Sequence, residues 1–579
     1  MLMRVSSWLH RIGSRRLLQR AIIVPLLSLG LAACRELAAT PEPSVSATLL
    51  PPAPTSTPAP TPIPPPTLTP TPVLNNLWLD PSGVRVYPDG RLYSGDILSF
   101  RVEAQNGSDQ DLAHVPVVVN WGSDQVAGEI NRIPHGDSAS TDFLWVWDTA
   151  GLVGTHTVTV TVDSENRTGD PDVSNNIAVI PIELRPGRPV AEIGAQWQTT
   201  TGACCTFHYI DGTAAARDLA AIKQTADEAV DYVEERLDIR QNDRLEVYLI
   251  DRVLGHGGFA GDHLVISYLD RNYAGGGLVE VFRHEATHLL DHRIARGERP
   301  IMLVEGFATY ITGGHFTIEP LPERAAMLAP LDAYIPLREL ANNFYPSQHE
   351  TGYLEAGAFI DYLVQRNGYA NFMALYDGMQ RQPGETDAEM IDREMRGVYG
   401  VGLDELEAEW QAYLRTLDTA AEQRDVEYTL AFYDTVRRYQ RALDPSAYFL
   451  SPWIPDIRQA AARQIVADYL RHPNTPENIA LETMLVAADA AFLVEDFDRV
   501  EALLASTNTV LAADVVFTDP LAARYLAIVN ATLLAGYEPH HITLYAERAE
   551  VQATVGGDAT LTSLAVAQQA GAWSVQLSR

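Results

Sequence analysis

Positive charge is scarce in this chain. Its 42 Lys and Arg face 75 Asp and Glu, a formal net charge of −33 over 579 residues. So acidic a chain has no basic face to lay along a phosphate backbone, which argues against nucleic-acid binding. The same imbalance favours solubility at a surface and a basic partner or substrate. Cysteine is scarcer still, with only Cys34, Cys204 and Cys205. No second CxxC-like pair accompanies them, so they are not assigned to a metal. Adjacent Cys204 and Cys205 leave three states open: a strained vicinal disulfide, free thiols, or pairing with another molecule. Beyond the N-terminus no stretch is long and apolar enough to span a bilayer. No propeptide switch is visible.

At the N-terminus, Arg4, Arg11, Arg15, Arg16 and Arg20 precede a short apolar run, AIIVPLLSLGLAA, at residues 21–33. That is a basic region followed by a hydrophobic region too short for a comfortable membrane span. Leu31-Ala32-Ala33-Cys34 resembles a bacterial lipobox. The resemblance implies removal of residues 1–33 as a lipoprotein signal peptide, diacylglyceryl on Cys34, and an extracytoplasmic, lipid-anchored position on a bacterial cell membrane. Loss of the five Arg would move the charge from −33 to −38. Residues 34–73 are dominated by Pro and Thr, a composition that packs no core and favours polyproline II at about 3.1 Å per residue. A stalk reaching roughly 100 Å is expected.

Residues 74–186 read as all-β. Val158, Val160 and Val162 alternate with Thr157, Thr159 and Thr161, as in a strand with one buried face. Further strands are expected at Ile97 to Ala104, Val115 to Trp121 and Phe143 to Trp147, separated by turn signals such as Asn106-Gly107. Several short strands over this length suit an immunoglobulin-like sandwich. The pattern Gly95-Asp96-Ile97, Asn106-Gly107, Gly154-Thr155-His156 and Asn175-Asn176 resembles the bacterial cell-adhesion-related (CARDB-like) domain. That resemblance implies extracellular spacing or the binding of a protein partner, not chemistry.

The chemistry lies further along. In His284-Glu285-Ala286-Thr287-His288, a helix would place both imidazoles one turn apart on one face. Two such imidazoles can bind one Zn²⁺. Glu285 then stands where a general base for a metal-activated water is needed. Gly275-Gly276-Gly277 marks a break before the helix, and Leu278 to Arg283 is free of Pro. A catalytic zinc site needs a third protein ligand, and Glu305 is the best candidate. His292, one turn past His288, is a rival, but three ligands in line along one helix cannot converge on one ion. Asp291 and Ile294 occupy the positions where metzincins carry Gly and a third His, which excludes that class.

Pro300-Ile301-Met302-Leu303-Val304-Glu305-Gly306-Phe307-Ala308-Thr309-Tyr310 resembles the ligand helix of gluzincin-like zinc metallopeptidases of the peptidase MA superfamily, with Met302 where that family usually has Trp. His288 and Glu305 are 17 residues apart, a compact spacing for the family. The segment Gly257 to Tyr268 looks like the family's edge strand, which pairs with extended substrate. Tyr353 to Leu363 resembles a family helix whose Tyr, here Tyr353, could donate to the oxyanion. Gly402 to Trp410 looks like the closing helix. The resemblance covers residues 187–418. It implies an α+β domain with His284, His288 and Glu305 on Zn²⁺, Glu285 as base and Tyr353 as oxyanion donor. Asp291 is a candidate for orienting an imidazole, with a surface or capping role as its alternative. Within this region Leu219, Ile222, Ala226, Ala229, Val230, Val233 and Leu237 mark one helix face, and Leu245, Val247 and Leu249 a strand.

Residues 419–579 read as an α-helical domain, with amphipathic stretches at Ile457–Leu470, Ile479–Leu493 and Pro520–Leu534, and stacked helix pairs are one option. His540 and His541 are expected to be exposed and incidental. The whole is a multidomain chain: sandwich, α+β peptidase-like domain, helical domain. The expected activity is hydrolysis of peptide bonds in a peptide or protein substrate. Two alternatives are an inactive surface binding protein on a peptidase-like scaffold, and a zinc hydrolase of a non-peptide bond.

Overall fold

Residues 76–315, 317–345, 349–569 and 571–576 are described by the computed structural model. The expected signal peptide, the stalk and Cys34 lie outside these residues. All the described residues belong to one unit, Pro72–Arg579.

Two sheets packed face to face come first. In one, β4 (Ile97–Asn106) pairs with β1 (Leu77–Trp78), β2 (Val84–Tyr87) and β7 (Ser138–Asp148). In the other, the order is β3-β9-β8-β5-β6, from β3 (Leu92–Tyr93), β5 (Leu112–Trp121), β6 (Asp124–Ile133), β8 (Gly154–Val162) and β9 (Ile177–Arg185). Val158, Val160 and Val162 are fully buried while the alternating Thr face away from the core, as a period of two requires. The core between the sheets joins these valines to Phe100, Val102, Val117 and Trp147.

The central region is built on a second five-stranded sheet. Its order is β10-β11-β12-β14-β13, from β10 (Trp197–Thr201), β11 (Cys205–Ile210), β12 (Leu245–Ile250), β13 (Gly258–Ala260) and β14 (Leu264–Ser267). Cys204 and Cys205 form a vicinal disulfide at the start of β11. Helix α1 (Ala214–Leu237), capped by Thr213, buries Ile222, Ala226, Ala229, Val230, Val233 and Leu237 in the core of this region. Short β13 forms the sheet edge, antiparallel to β14. Two helices follow, α2 (Leu278–Asp291) and α3 (Ile301–Thr312). Then come α4 (Leu321–Ala325), α5 (Leu337–Asn342), α6 (His349–Asn367), α7 (Tyr369–Gly378), α8 (Asp387–Tyr399) and α9 (Leu403–Leu414).

Packing of α3 against α6 is unusually close, and glycine explains it. A Cβ on Gly306 would lie 2.8 Å from the backbone and Cβ of Ala356, and one on Gly357 would lie 2.7 Å from Thr309. Each helix therefore offers a bare backbone where the other presents a small side chain. Met302 is wholly buried in the same core.

The C-terminal region corrects the all-helical expectation. It contains α10 (Gln423–Leu443), α11 (Ile457–Ala462), α12 (Ala467–Leu470), α13 (Pro476–Phe492), α14 (Phe497–Ala512) and α15 (Pro520–Leu534). After these the chain forms a four-stranded antiparallel sheet, β15 (Tyr537–Leu544), β16 (Arg548–Val555), β17 (Asp558–Gln569) and β18 (Ala572–Gln576), in sequential order. Ala549, Val551 and Ala553 alternate inward, joining Ile542, Leu564 and Val566 in a core shared with α13 to α15. Alternation carried by such small side chains is too weak to mark strands in the sequence. His540 belongs to β15 rather than to an exposed turn. It is buried, with Nε2 2.9 Å from Thr554 Oγ1.

The α3–α6 packing yields a prediction. Gly306→Ala should force the helices apart and destabilise the chain by ~1–3 kcal/mol, the range for overpacking. The urea midpoint measures this, and an unchanged midpoint would refute the close-approach argument.

Candidate metal centre

Three ligand atoms from two helices meet at one point. His284 and His288 project from one face of α2, and Glu305 from the second turn of α3. His284 Nε2 and His288 Nε2 are 3.1 Å apart, and Glu305 Oε2 lies 3.2 Å from the first and 3.1 Å from the second. These are the only three His, Cys, Asp or Glu side chains among the described residues that gather closely enough to hold an ion. A tetrahedral ion with ligands at about 2.0–2.1 Å sets neighbouring ligand atoms about 3.3 Å apart. The observed triangle fits that shape, and two imidazoles with one carboxylate are a donor set suited to zinc.

Electrostatics point the same way. Burial alone would raise Glu305, but His288 and His284 beside it hold the carboxyl well below its usual range. Burial pulls His288 down, yet the Glu305 carboxylate outweighs it and lifts the imidazole to about 9. Burial keeps His284 low, against its hydrogen bond to Glu305. Without a cation the triad therefore shares one proton, held at His288. Glu285 is 8% exposed and its carboxyl is pushed up by burial, which moves it toward the range of a working base.

The triad lies in a cleft of ≈ 640 Å³. Glu285, Tyr353 and β13 line it. A Cβ on Gly258 would lie 2.9 Å from Val281 and 3.2 Å from Glu285 Cγ, so only a glycine lets the edge strand come this close to α2. Tyr353 is buried with its ring stacked on His315 at 3.9 Å, and it hydrogen-bonds Glu305.

Asp291 is buried but is not hydrogen-bonded to a ligand imidazole. It accepts from Tyr376 Oη at 2.7 Å and from Arg299 Nη1 at 2.8 Å, and acts on His288 only through its charge. The Nδ1 of His284 is buried with no hydrogen-bond partner among the described residues. His292, the rival ligand, points its exposed ring toward Arg299 and Asp291 and stays out of the triad.

Several residues escaped the sequence reading. Tyr345 donates to Glu305 Oε1 at 2.8 Å, so the carboxylate is held by the two ligand imidazoles on one oxygen and a phenol on the other. His256 and His315 also line the cleft. Burial keeps both neutral, lowering His315 to about 3 and His256 well below its usual value. Behind His315, Glu350 lies 3.2 Å from its Nδ1, raised by burial to about 7. Phe449, Leu450, Pro452 and Ile454, from the segment between α10 and α11, form a further wall. The only hint in the sequence was the position of His256 beside the quoted Gly257-Gly258.

No family model matches this chain, and no curated protein matches it. Among solved structures, the CARDB domain of a Pyrococcus furiosus protein in complex with di-metal ions is similar at 15% identity. That match spans 19% of this chain and 89% of that chain, with a TM-score of 0.16. An M1 zinc metallopeptidase from Deinococcus radiodurans is similar at 14% identity over 59% of this chain and 94% of that one, with a TM-score of 0.25. An aminopeptidase N family protein from Idiomarina loihiensis is 9% identical over 55% of this chain and 74% of that one, with a TM-score of 0.27.

The shared proton sets a pH dependence. Below the His288 value of about 9, His284 is held neutral by burial, Glu305 is ionised and His288 is protonated, so metal binding displaces one proton. Zinc affinity should rise about tenfold per pH unit as the pH approaches that value from neutrality. Calorimetric titration in buffers of different ionisation enthalpy measures the proton release, and a pH-independent affinity would contradict the shared-proton assignment.

Proposed function

We propose that this chain is a zinc-dependent metallopeptidase of gluzincin type. The observation that carries this reading is the convergence of His284, His288 and Glu305 within one cleft, with Glu285 on the same helix and an edge strand beside it. When bound, zinc supplies Lewis acidity, polarising a carbonyl and making water a better nucleophile. Glu285 takes the proton of the attacking water and later gives it to the leaving amine. Burial supports that double role, because a carboxyl raised toward neutrality both accepts and returns a proton. The free edge of β13 binds extended substrate backbone by strand addition.

Tyr353 is the donor for the oxyanion, while Tyr345 keeps its hydrogen bond to Glu305. Burial first, and the Glu305 charge next, keep both phenols protonated across the working pH range. Tyr353 is a neutral donor near the carboxylate ligand, and turning its hydroxyl away from Glu305 directs that hydrogen bond to developing negative charge. His284, His288 and Glu305 hold the ion, and Tyr345 fixes the orientation of Glu305.

Two substitutions separate binding from chemistry. Glu285→Gln should retain one zinc per chain and lower peptide turnover by at least about a hundredfold, the scale of a lost general base. Glu305→Ala should lose the zinc. Metal analysis beside peptide-library turnover reads both. Zinc without turnover in the unmutated chain would favour an inactive binding protein, and unchanged zinc in Glu305→Ala would reject that ligand.

We also propose that the chain is held outside the cytoplasm by lipid on Cys34, supported by the lipobox-like Leu31-Ala32-Ala33-Cys34 and the Pro/Thr-rich segment after it. Cys34→Ser should move the protein from the membrane fraction to the soluble fraction on fractionation of expressing cells. Retention in the membrane would refute the anchor.

A further inference from the structure

The apolar wall of the cleft is held by the N-terminal β-sandwich. Leu450 and Ile454 line the cleft and remain 47% and 40% exposed, although both are large aliphatic side chains. Phe449 stands beside them, its ring edge-on to His256 at 5.4 Å. Exposed aliphatic surface inside a cleft, next to a metal triad, is surface kept for a ligand.

The segment carrying these residues has no regular structure of its own, yet it is fixed from outside. Trp453 lies between Pro452 and Ile454 and is almost fully buried. Its ring stacks on Tyr87 of β2, with centroids 3.8 Å apart and planes 5° from parallel. Arg101 of β4 donates from Nη1 to the carbonyl of Ser451 at 3.0 Å and lays its guanidinium over the Trp453 ring at 5.3 Å. Arg101 is itself oriented by a two-pronged pair with Asp142, at 2.8 and 3.0 Å. Trp145 of β7 and Trp453 both donate to Asp468, at 2.7 and 3.3 Å. Sandwich residues therefore grip the segment at Ser451 and Trp453, and cleft-lining residues alternate with the gripped ones.

We infer that Tyr87 and Arg101 are positioning residues for substrate selection: through Trp453 and Ser451 they hold Leu450 and Ile454 as a binding surface for a bulky aliphatic or aromatic side chain of an extended peptide. The inference deepens the peptidase reading and rests on it for the identity of the occupant. The sandwich is then part of the cleft, not only a spacer.

The test uses the zinc-loaded Glu285→Gln chain, so that binding is read without turnover. The probes are fluorescein-labelled Ala-Gly-Ser decapeptides, a parent and a series with one Leu placed at each position in turn, followed by anisotropy. At one or two positions Leu should improve affinity about tenfold over the parent, the scale of burying one such side chain. Leu450→Glu, at an exposed site, should remove that preference. Tyr87→Ala should reduce it with zinc still at one per chain. Tyr87→Phe should restore it, because the ring stack survives and the Tyr87 hydroxyl has no hydrogen-bond partner among the described residues to lose.

Equal Leu preference in all four proteins would overturn the inference, as would its absence from the Glu285→Gln parent. Failure of the peptidase reading is separate. It would appear as no cleavage of the preferred decapeptide by the unmutated zinc-loaded chain, while the binding preference and its loss in Leu450→Glu remain.

Discussion

A carboxylate pressed between two imidazoles is the contact on which the cleft depends. Burying Glu305 away from water is costly unless its charge is answered. Here His284 and His288 answer it on one oxygen and Tyr345 on the other. That contact forces α2 and α3 together at one turn of each helix. The approach is possible only because the surroundings yield room: Gly306 and Gly357 let α3 settle on α6, and Gly258 lets the edge strand settle on α2. The edge strand, Glu285 and the triad are thus brought within one cleft by three positions lacking side chains. The unshared Nδ1 of His284 leaves that imidazole held mainly by packing and by the ligand cluster itself.

Local periodicity explains what could be read from the sequence. His284, Glu285 and His288 are visible because a helix converts a spacing of four into one face. Glu305 is visible because its own helix carries a recognisable pattern within 17 residues of His288. Val158, Val160 and Val162 declare their strand by strict alternation of large apolar residues. Tyr345, His315 and Phe449 declare nothing, since each reaches the cleft from a loop whose position is set by tertiary packing. The last sheet was missed for a related reason. Ala549, Val551 and Ala553 alternate, but alanine is equally at home in a helix, and the stretch before them, Pro520–Leu534, is helical. Asp291 could not be placed from the sequence, which left imidazole orientation and a surface or capping role both open; packing turns its carboxylate to Tyr376 and Arg299.

Charge is also used to tie the separate cores together. Arg471 bridges Asp96 of the sandwich and Glu192 of the central region. Arg271 reaches from the central region to Glu482 on α13 and Glu538 on β15. Buried pairs of this kind add little net stability, because desolvation offsets most of the attraction. Removing one partner is another matter, since it strands a buried charge at a cost of about 3–5 kcal/mol. The bridging arginines therefore act less as glue than as a penalty on separation: any movement of one core away from another leaves an uncompensated ion. That penalty bears on the cleft, because its floor belongs to the central core while its apolar wall is carried by the C-terminal segment and gripped by the sandwich. A cleft assembled from three regions keeps a fixed width only if the regions keep fixed positions. The ion pairs at Arg471 and Arg271 and the stack of Tyr87 on Trp453 supply that constraint from opposite physical directions, one by the cost of unpairing charge and the other by the cost of exposing aromatic surface.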